Sequence, residues 1–183
     1  MARAGLSRDL LIREAAALIA ERGTAALTMR ALAERLGVRA PSLYNHIRNQ
    51  QELLREVGVY ALRELEKDID AAQGASPKEQ LAEIARRYRR FARREPALYE
   101  VLLHIPDTED PTLISLGRLL GERVSSLTCT GLPEKERLDF MRAFRSALHG
   151  FTALEAKGFF SGADTTDRSF EYLIACLLEK LGE

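Results

Sequence analysis

Helix punctuation recurs along the whole of this chain, and no strand-like alternation of apolar and polar residues interrupts it. Ser7 is an N-cap ahead of Leu10, Leu11, Ile12, Ala15, Ala16, Leu18 and Ile19, which are apolar at helical spacing, and Gly23 ends the run. Thr28 caps a second helix from Met29 to Leu36, which stops at Gly37. A third, short helix begins near Pro41, a residue tolerated in a first helical turn. Asn49, followed three residues later by Glu52, resembles a capping box for a long fourth helix over about 50–72. Ser76-Pro77-Lys78-Glu79 combines a cap, a proline at the first helical position and an acid at the third, and predicts a fifth helix to about Arg94. Pro96 opens a sixth to about His104, and residues 105–111 read as a polar loop. Further helices are expected over about 112–128, 134–157 and 167–181, with a loop at 158–166. The expected fold is all-α, with roughly nine helices and short connections.

A chain of 183 residues that is 46% hydrophobic can bury a core without disulfides or metal, and it does not have a disordered composition. Cys129 and Cys176 make neither a disulfide framework nor a structural zinc site, and both read as small core residues. No apolar run approaches the ~18 residues of a membrane span. The N-terminus lacks a charged-then-apolar signal pattern, so a cytoplasmic protein without a membrane partner is expected. The net charge of zero conceals an asymmetry. Residues 1–50 hold eight Arg against four acids, a net of +4, and residues 51–183 hold 19 basic and 23 acidic residues, a net of −4. A basic first quarter on a balanced chain suggests a polyanion-binding module joined to something else.

Residues 28–47 read TMRALAERLGVRAPSLYNHI, two short helices meeting at Gly37, which permits the positive φ of a tight reversal. Leu32, Leu36, Val38, Leu43 and Ile47 supply an inward set, and Ala33 is small where the helices cross. Ala40, Ser42, Tyr44, Asn45 and His46 face outward, short or hydrogen-bonding side chains that suit a DNA groove. Arg30-x-Leu32-Ala33-x-x-Leu36-Gly37-Val38 and Pro41-Ser42-Leu43-Tyr44-Asn45-His46-Ile47, with Ala15-Ala16-x-Leu18-Ile19 upstream and Leu53-Leu54 downstream, resemble the TetR family of transcriptional regulators.

The resemblance implies a helix-turn-helix whose third helix enters the major groove, with Thr28, Arg30, Ser42, Tyr44 and His46 at or near DNA. Arg39, Ala40, Asn45 and Gln50 complete the expected DNA-facing set. Tyr44 reads as a phosphate contact. Asn45 fits either a base or solvent, and His46 fits either DNA or a brace between the third and fourth helices. Where the family usually has lysine, at the start of the fourth helix, this chain has Gln50. The DNA-binding domain is placed at 1–50, and a helical regulatory and dimerisation domain at 51–183.

In the second part, Leu148-His149-Gly150-Phe151-x-x-Leu154-Glu155-x-x-Gly158-x-Phe160 resembles a regulatory domain with a Trp-His-Gly motif, although the tryptophan is absent. Arg90-Phe91-Ala92 and Pro96-x-Leu98-Tyr99 are similar to that domain as well. The last two helices are apolar on more than one face, and the resemblance implies a homodimer through them. The expected interface is Met141, Leu148, Phe151, Phe170, Leu173, Ile174 and Leu177. An effector pocket is expected among Tyr60, Tyr88, Phe91, Tyr99, Leu102, His104, Phe140, Phe144 and His149, for each of which plain core packing is the competing reading. Six arginines between residues 86 and 94 read as a mostly outward, acid-paired face, with an anionic effector or a second DNA contact as the alternatives.

The function expected is a repressor released from a palindromic operator by a small, largely apolar effector, with no cofactor or metal. An effector-independent DNA-binding protein is the alternative. An enzyme is disfavoured, because His46, His104 and His149 lie far apart and neither a phosphate-binding glycine loop nor a serine elbow occurs.

Overall fold

The computed structural model of the protein describes residues 5–103, 121–128, 132–160 and 163–181. Every regular element among the described residues is helical: α1 (Arg8–Arg22), α2 (Met29–Leu36), α3 (Ala40–Leu43), α4 (Gln50–Asp70), α5 (Pro77–Arg94), α6 (Pro96–Leu103), α7 (121–128), α8 (Glu134–Ala156) and α9 (Ala163–Leu178). His104, the loop at 105–111, the first part of the seventh expected helix and Cys129 lie outside the described residues.

The punctuation works through the expected hydrogen bonds. Ser7 Oγ accepts from the Leu10 N–H at 3.2 Å, and Thr28 Oγ1 from the Ala31 N–H at 3.0 Å. Gly37 sits at φ 66°, where an L-residue is disfavoured, and the Val38 N–H then reaches the Ala33 carbonyl at 3.0 Å. At α4, Asn49 Oδ1 accepts from the Glu52 N–H (2.8 Å), while the Glu52 carboxylate accepts from the Arg48 N–H (2.7 Å). At α5, Ser76 and Glu79 repeat the device, with the carboxylate accepting from the Ala75 N–H.

Two compact units result, divided within α4 at Glu64/Leu65 and again between Arg94 and Glu95. The first unit takes α1 to α3, the N-terminal part of α4, and α6. Leu11, Leu18, Ile19, Leu32, Leu43, Ile47 and Leu53 form its interior, each almost fully buried. Burial of such side chains stabilises by about 1.5–3 kcal/mol apiece. The second unit takes the end of α4 with α5, α7, α8 and α9; Ile84, Tyr88, Phe91, Phe144, Phe170 and Ile174 are buried in it.

Three sequence expectations change. α9 begins at Ala163 rather than near Asp167, because buried Thr166 and a paired Asp167 hold a polar stretch in helical form. Cys176 is exposed, on the side of α9 away from Phe170 and Ile174. Arg89, expected on a mostly outward face, is only 7% exposed. Its position, four residues after Ala85 and three before Ala92, places it on the inner face of α5.

Candidate functional site

In the first unit, buried Leu43 and Ile47 clamp a projecting segment between them. The α-helix of α3 ends at Leu43. The chain continues as a tight turn through His46, closed by the His46 and Ile47 N–H groups donating to the Leu43 carbonyl at 2.9 and 3.0 Å. Tyr44 is 53% exposed, Asn45 is exposed, and Ser42 and His46 are half-buried. Among the described residues, the side chains of Arg39, Ser42, Tyr44, Asn45 and His46 have no hydrogen-bond or ion-pair partner. Such a surface offers donors and acceptors to an outside ligand without breaking internal bonds.

The other expected contacts carry internal duties. Thr28 caps α2, which leaves its hydroxyl hydrogen to donate outward. Arg30 meets Glu34 at 2.8 Å in a highly exposed pair, which holds it weakly. Ala40 is half-buried against the core. Gln50 donates its side-chain amide to the Leu27 carbonyl at 2.7 Å, tying α4 to the stretch before α2.

Two further arginines, Arg8 and Arg48, lie close to the start of α4. Arg8 reaches from the start of α1 to the His46 carbonyl (2.9 Å), to Glu52 (2.8 Å) and to Glu56 (3.2 Å), joining the projecting turn to α4. The Arg48 N–H and then Arg8 hold the Glu52 carboxyl below the usual carboxylate range. Arg48 itself is exposed and lies 3.9 Å from Glu52, beside the N–H groups of the first turn of α4. Position relative to the α4 cap was the available signal for Arg48. Nothing in the sequence around Arg8 announces its long-range contacts.

The second unit contains a cavity of about 50 Å³. Ile69, Ile84, Tyr88, Val124 and Phe144 line it together with Gly121, Met141, Arg145 and Leu148. Tyr88 and Phe144 were expected at a pocket. Met141 and Leu148 were expected at the dimer interface; they line the cavity because residues 141, 144, 145 and 148 share one face of α8. Phe91 and Phe140 are buried core, His149 is half-buried, and none of these three lines the cavity. Tyr60, Tyr99 and Leu102 belong to the first unit, where Tyr99 is buried and the other two pack on its core.

Of the remaining expected interface residues, Phe170 and Ile174 are covered by their own chain, at 1 and 2% exposure, and are core. Phe151 packs on Phe160 and Phe170, with ring centroids 4.9 and 5.1 Å apart. Leu173 and Leu177 are half-buried, flanked by exposed Tyr172 and Cys176. Beside Phe151, Arg89 donates to Glu155 at 2.8 and 2.6 Å and to Asp167 at 2.7 Å, under the Phe170 ring at 4.6 Å. Arg86 pairs with Glu171 and Arg93 with Asp167, while Arg90 is exposed.

No helix among the described residues is long and apolar enough to cross a membrane, and no group of metal-ligating side chains occurs among them. Residues 11–57 match the family described as bacterial regulatory proteins, tetR family, and residues 81–177 match a tetracyclin repressor-like, C-terminal domain. The uncharacterized HTH-type transcriptional regulator YobS of Bacillus subtilis is 30% identical over 98% of this chain and 94% of its own length. The crystal structure of TetR from Acinetobacter baumannii AYE superposes with a TM-score of 0.71 at 22% identity, over 96% of each chain. That of the Streptomyces coelicolor TetR family protein ActR in complex with (S)-DNPA gives 0.69 at 21% identity, over 98% of this chain and all of the other. The exposed turn on a capped helical scaffold, matched over both parts of the chain, makes this protein a member of the TetR family of transcriptional regulators, with a DNA-binding N-terminal and a ligand-binding C-terminal domain.

Proposed function

We propose that the protein is a cytoplasmic homodimeric repressor, bound to an inverted-repeat operator and released by a small, largely apolar effector. The observation that carries the DNA reading is the set of unpartnered side chains around Tyr44. Ser42 and Asn45 meet base edges. Tyr44, Arg39 and Arg48 hold phosphates, with the N-terminal amides of α4, and Arg48 supplies the charge that Gln50 does not. Thr28, Arg30 and His46 stand at the edge of the contact, and Ala40 lets the backbone approach. Residues 1–50 carry the DNA function and 51–183 the regulatory one, with α4 beginning at the boundary.

Dimerisation uses surface that its own chain leaves uncovered. On α8 this is the stripe Ala143, Ala147, Gly150 and Leu154, spaced by four, three and four residues, and a Cβ added to Gly150 would meet nothing within 4 Å. On α9 it is Tyr172, Leu173, Cys176 and Leu177. Small residues permit close helix approach, and a two-fold dimer suits two half-sites. Effector and operator favour different spacings of the two DNA-binding turns, so each weakens the other by the same factor.

Selection of bound DNA from a random pool tests this reading. An inverted repeat is expected. Tyr44→Ala weakens binding to every sequence, whereas changes at Ser42 or Asn45 alter the preferred base, at about 1–3 kcal/mol per good contact. An unchanged preferred sequence in both the Ser42 and the Asn45 variants refutes the assignment of base readers.

A further inference from the structure

Among its described lining residues, the cavity of the second unit is apolar apart from the Tyr88 hydroxyl and the side chain of Arg145. Arg145 is also solvent-exposed, which puts it at the mouth. It has no acidic partner among the described residues. Most arginines of α5 differ: Arg86, Arg89 and Arg93 already meet Glu171, Glu155 and Asp167. A guanidinium with no internal partner keeps its paired donors for an incoming carboxylate. His149, one turn further along α8, is held below the ordinary histidine value by burial and by the charge of Arg145. Among the described residues, no acid neutralises the positive field at this mouth.

We propose that this cavity takes an apolar molecule bearing one carboxylate, with the anion at Arg145 and the hydrocarbon body against Ile84, Val124 and Phe144. The proposal rests on the reading that the second unit binds the effector, and adds the cavity and the chemical class. A neutral ligand covering the mouth leaves the guanidinium desolvated and unpaired, and a cation is repelled. The present volume, about 50 Å³, holds a few waters at roughly 10–15 Å³ each, so entry displaces part of the wall. Met141 is the wall group suited to give way. Its Sδ lies 2.7 Å from where a Cβ on residue 121 would stand, so it rests against bare glycine backbone, and a thioether side chain repacks readily. The ligand body takes the place of that side chain.

Calorimetry on the full-length protein with octanoate, 1-octanol and octylamine tests the proposal, using wild type, Arg145→Met, Arg145→Lys and Met141→Ala. Octanoate should bind about ten- to a hundredfold more tightly than 1-octanol, and octylamine most weakly. Arg145→Met should erase the preference, Arg145→Lys should keep part of it, and Met141→Ala should tighten octanoate and octanol together. Equal binding of octanoate and octanol to wild type, a preference that survives Arg145→Met, or no binding of any probe to the Met141→Ala protein would each overturn it. Anisotropy of labelled operator DNA separates the two readings. Octanoate selectivity that depends on Arg145, with operator occupancy unchanged at saturation, upholds the site and overturns the effector response.

Discussion

Arg89 shows how much one residue can differ from its neighbours of the same type. Six arginines lie between positions 86 and 94, and by composition they are equivalent. Helical phase distinguishes them, because Arg89 alone among them falls with Leu81, Ala85 and Ala92 on the buried face. A buried guanidinium is tolerable when its donors are satisfied, and here Glu155 and Asp167 satisfy them from α8 and α9. Arg89 and then Arg93 keep the Asp167 carboxyl below its usual range. Arg89→Ala is expected to cost about 3–5 kcal/mol, because it leaves the Glu155 carboxylate poorly solvated and unpaired. Arg90→Ala, on the exposed side, should stay within about 0.5 kcal/mol. Urea denaturation of the two variants measures the contrast, and equal effects would mean that Arg89 is no more than a surface pair.

At the scale of elements, the first turn of α4 organises the projecting turn at 44–46. Tyr44, Asn45 and His46 lie beyond the regular helix of α3, so ties to other elements fix their direction. Arg8 and Gln50 supply those ties, and Glu52 anchors Arg8. Because hydrogen bonds depress the Glu52 pKa, the folded state favours its carboxylate. The resulting stabilisation is complete above the ordinary glutamate value of about 4.3 and is lost as pH falls through the lower folded value. Glu52→Gln should therefore flatten the acid limb of stability against pH, read as urea midpoints between about pH 7 and 3. It should also weaken operator binding at neutral pH, where Arg8 keeps Glu56 but loses the nearer of its two carboxylates. The Asn49–Glu52 box was legible because capping is local in sequence. The reach of Arg8 to residues 46, 52 and 56 was not, since it depends on how α1 packs against α4.

For the whole molecule, the decisive quantity is assembly. Leu154 and Tyr172 are 43 and 73% exposed on the single chain, so charging them should leave the fold intact. The double variant Leu154→Glu, Tyr172→Glu is expected to sediment as a monomer. Its operator affinity should fall by about 10²–10⁴-fold, because the second half-site no longer benefits from being tethered to the first. A double variant that stays dimeric would place the interface on another face. Leu148, Phe170 and Ile174 would unfold the chain if charged, and so report on the core rather than on assembly.

The sequence alone specifies the helices and the reversal at Gly37. Both rest on contacts a few residues long: Ser7, Thr28, Asn49 and Ser76 cap backbone amides three residues away, and Gly37 needs only its own positive φ. It also determined that α8 and α9 are apolar on more than one side, but not the duty of each side. Met141 and Leu148 turn toward a cavity, Phe170 and Ile174 toward the core, and Leu154 and Tyr172 toward solvent. Only tertiary structure decided this, because the division depends on where α5 and α7 lie around the two helices. For the same reason, Arg145 became a candidate ligand contact only once apolar walls had closed beside it.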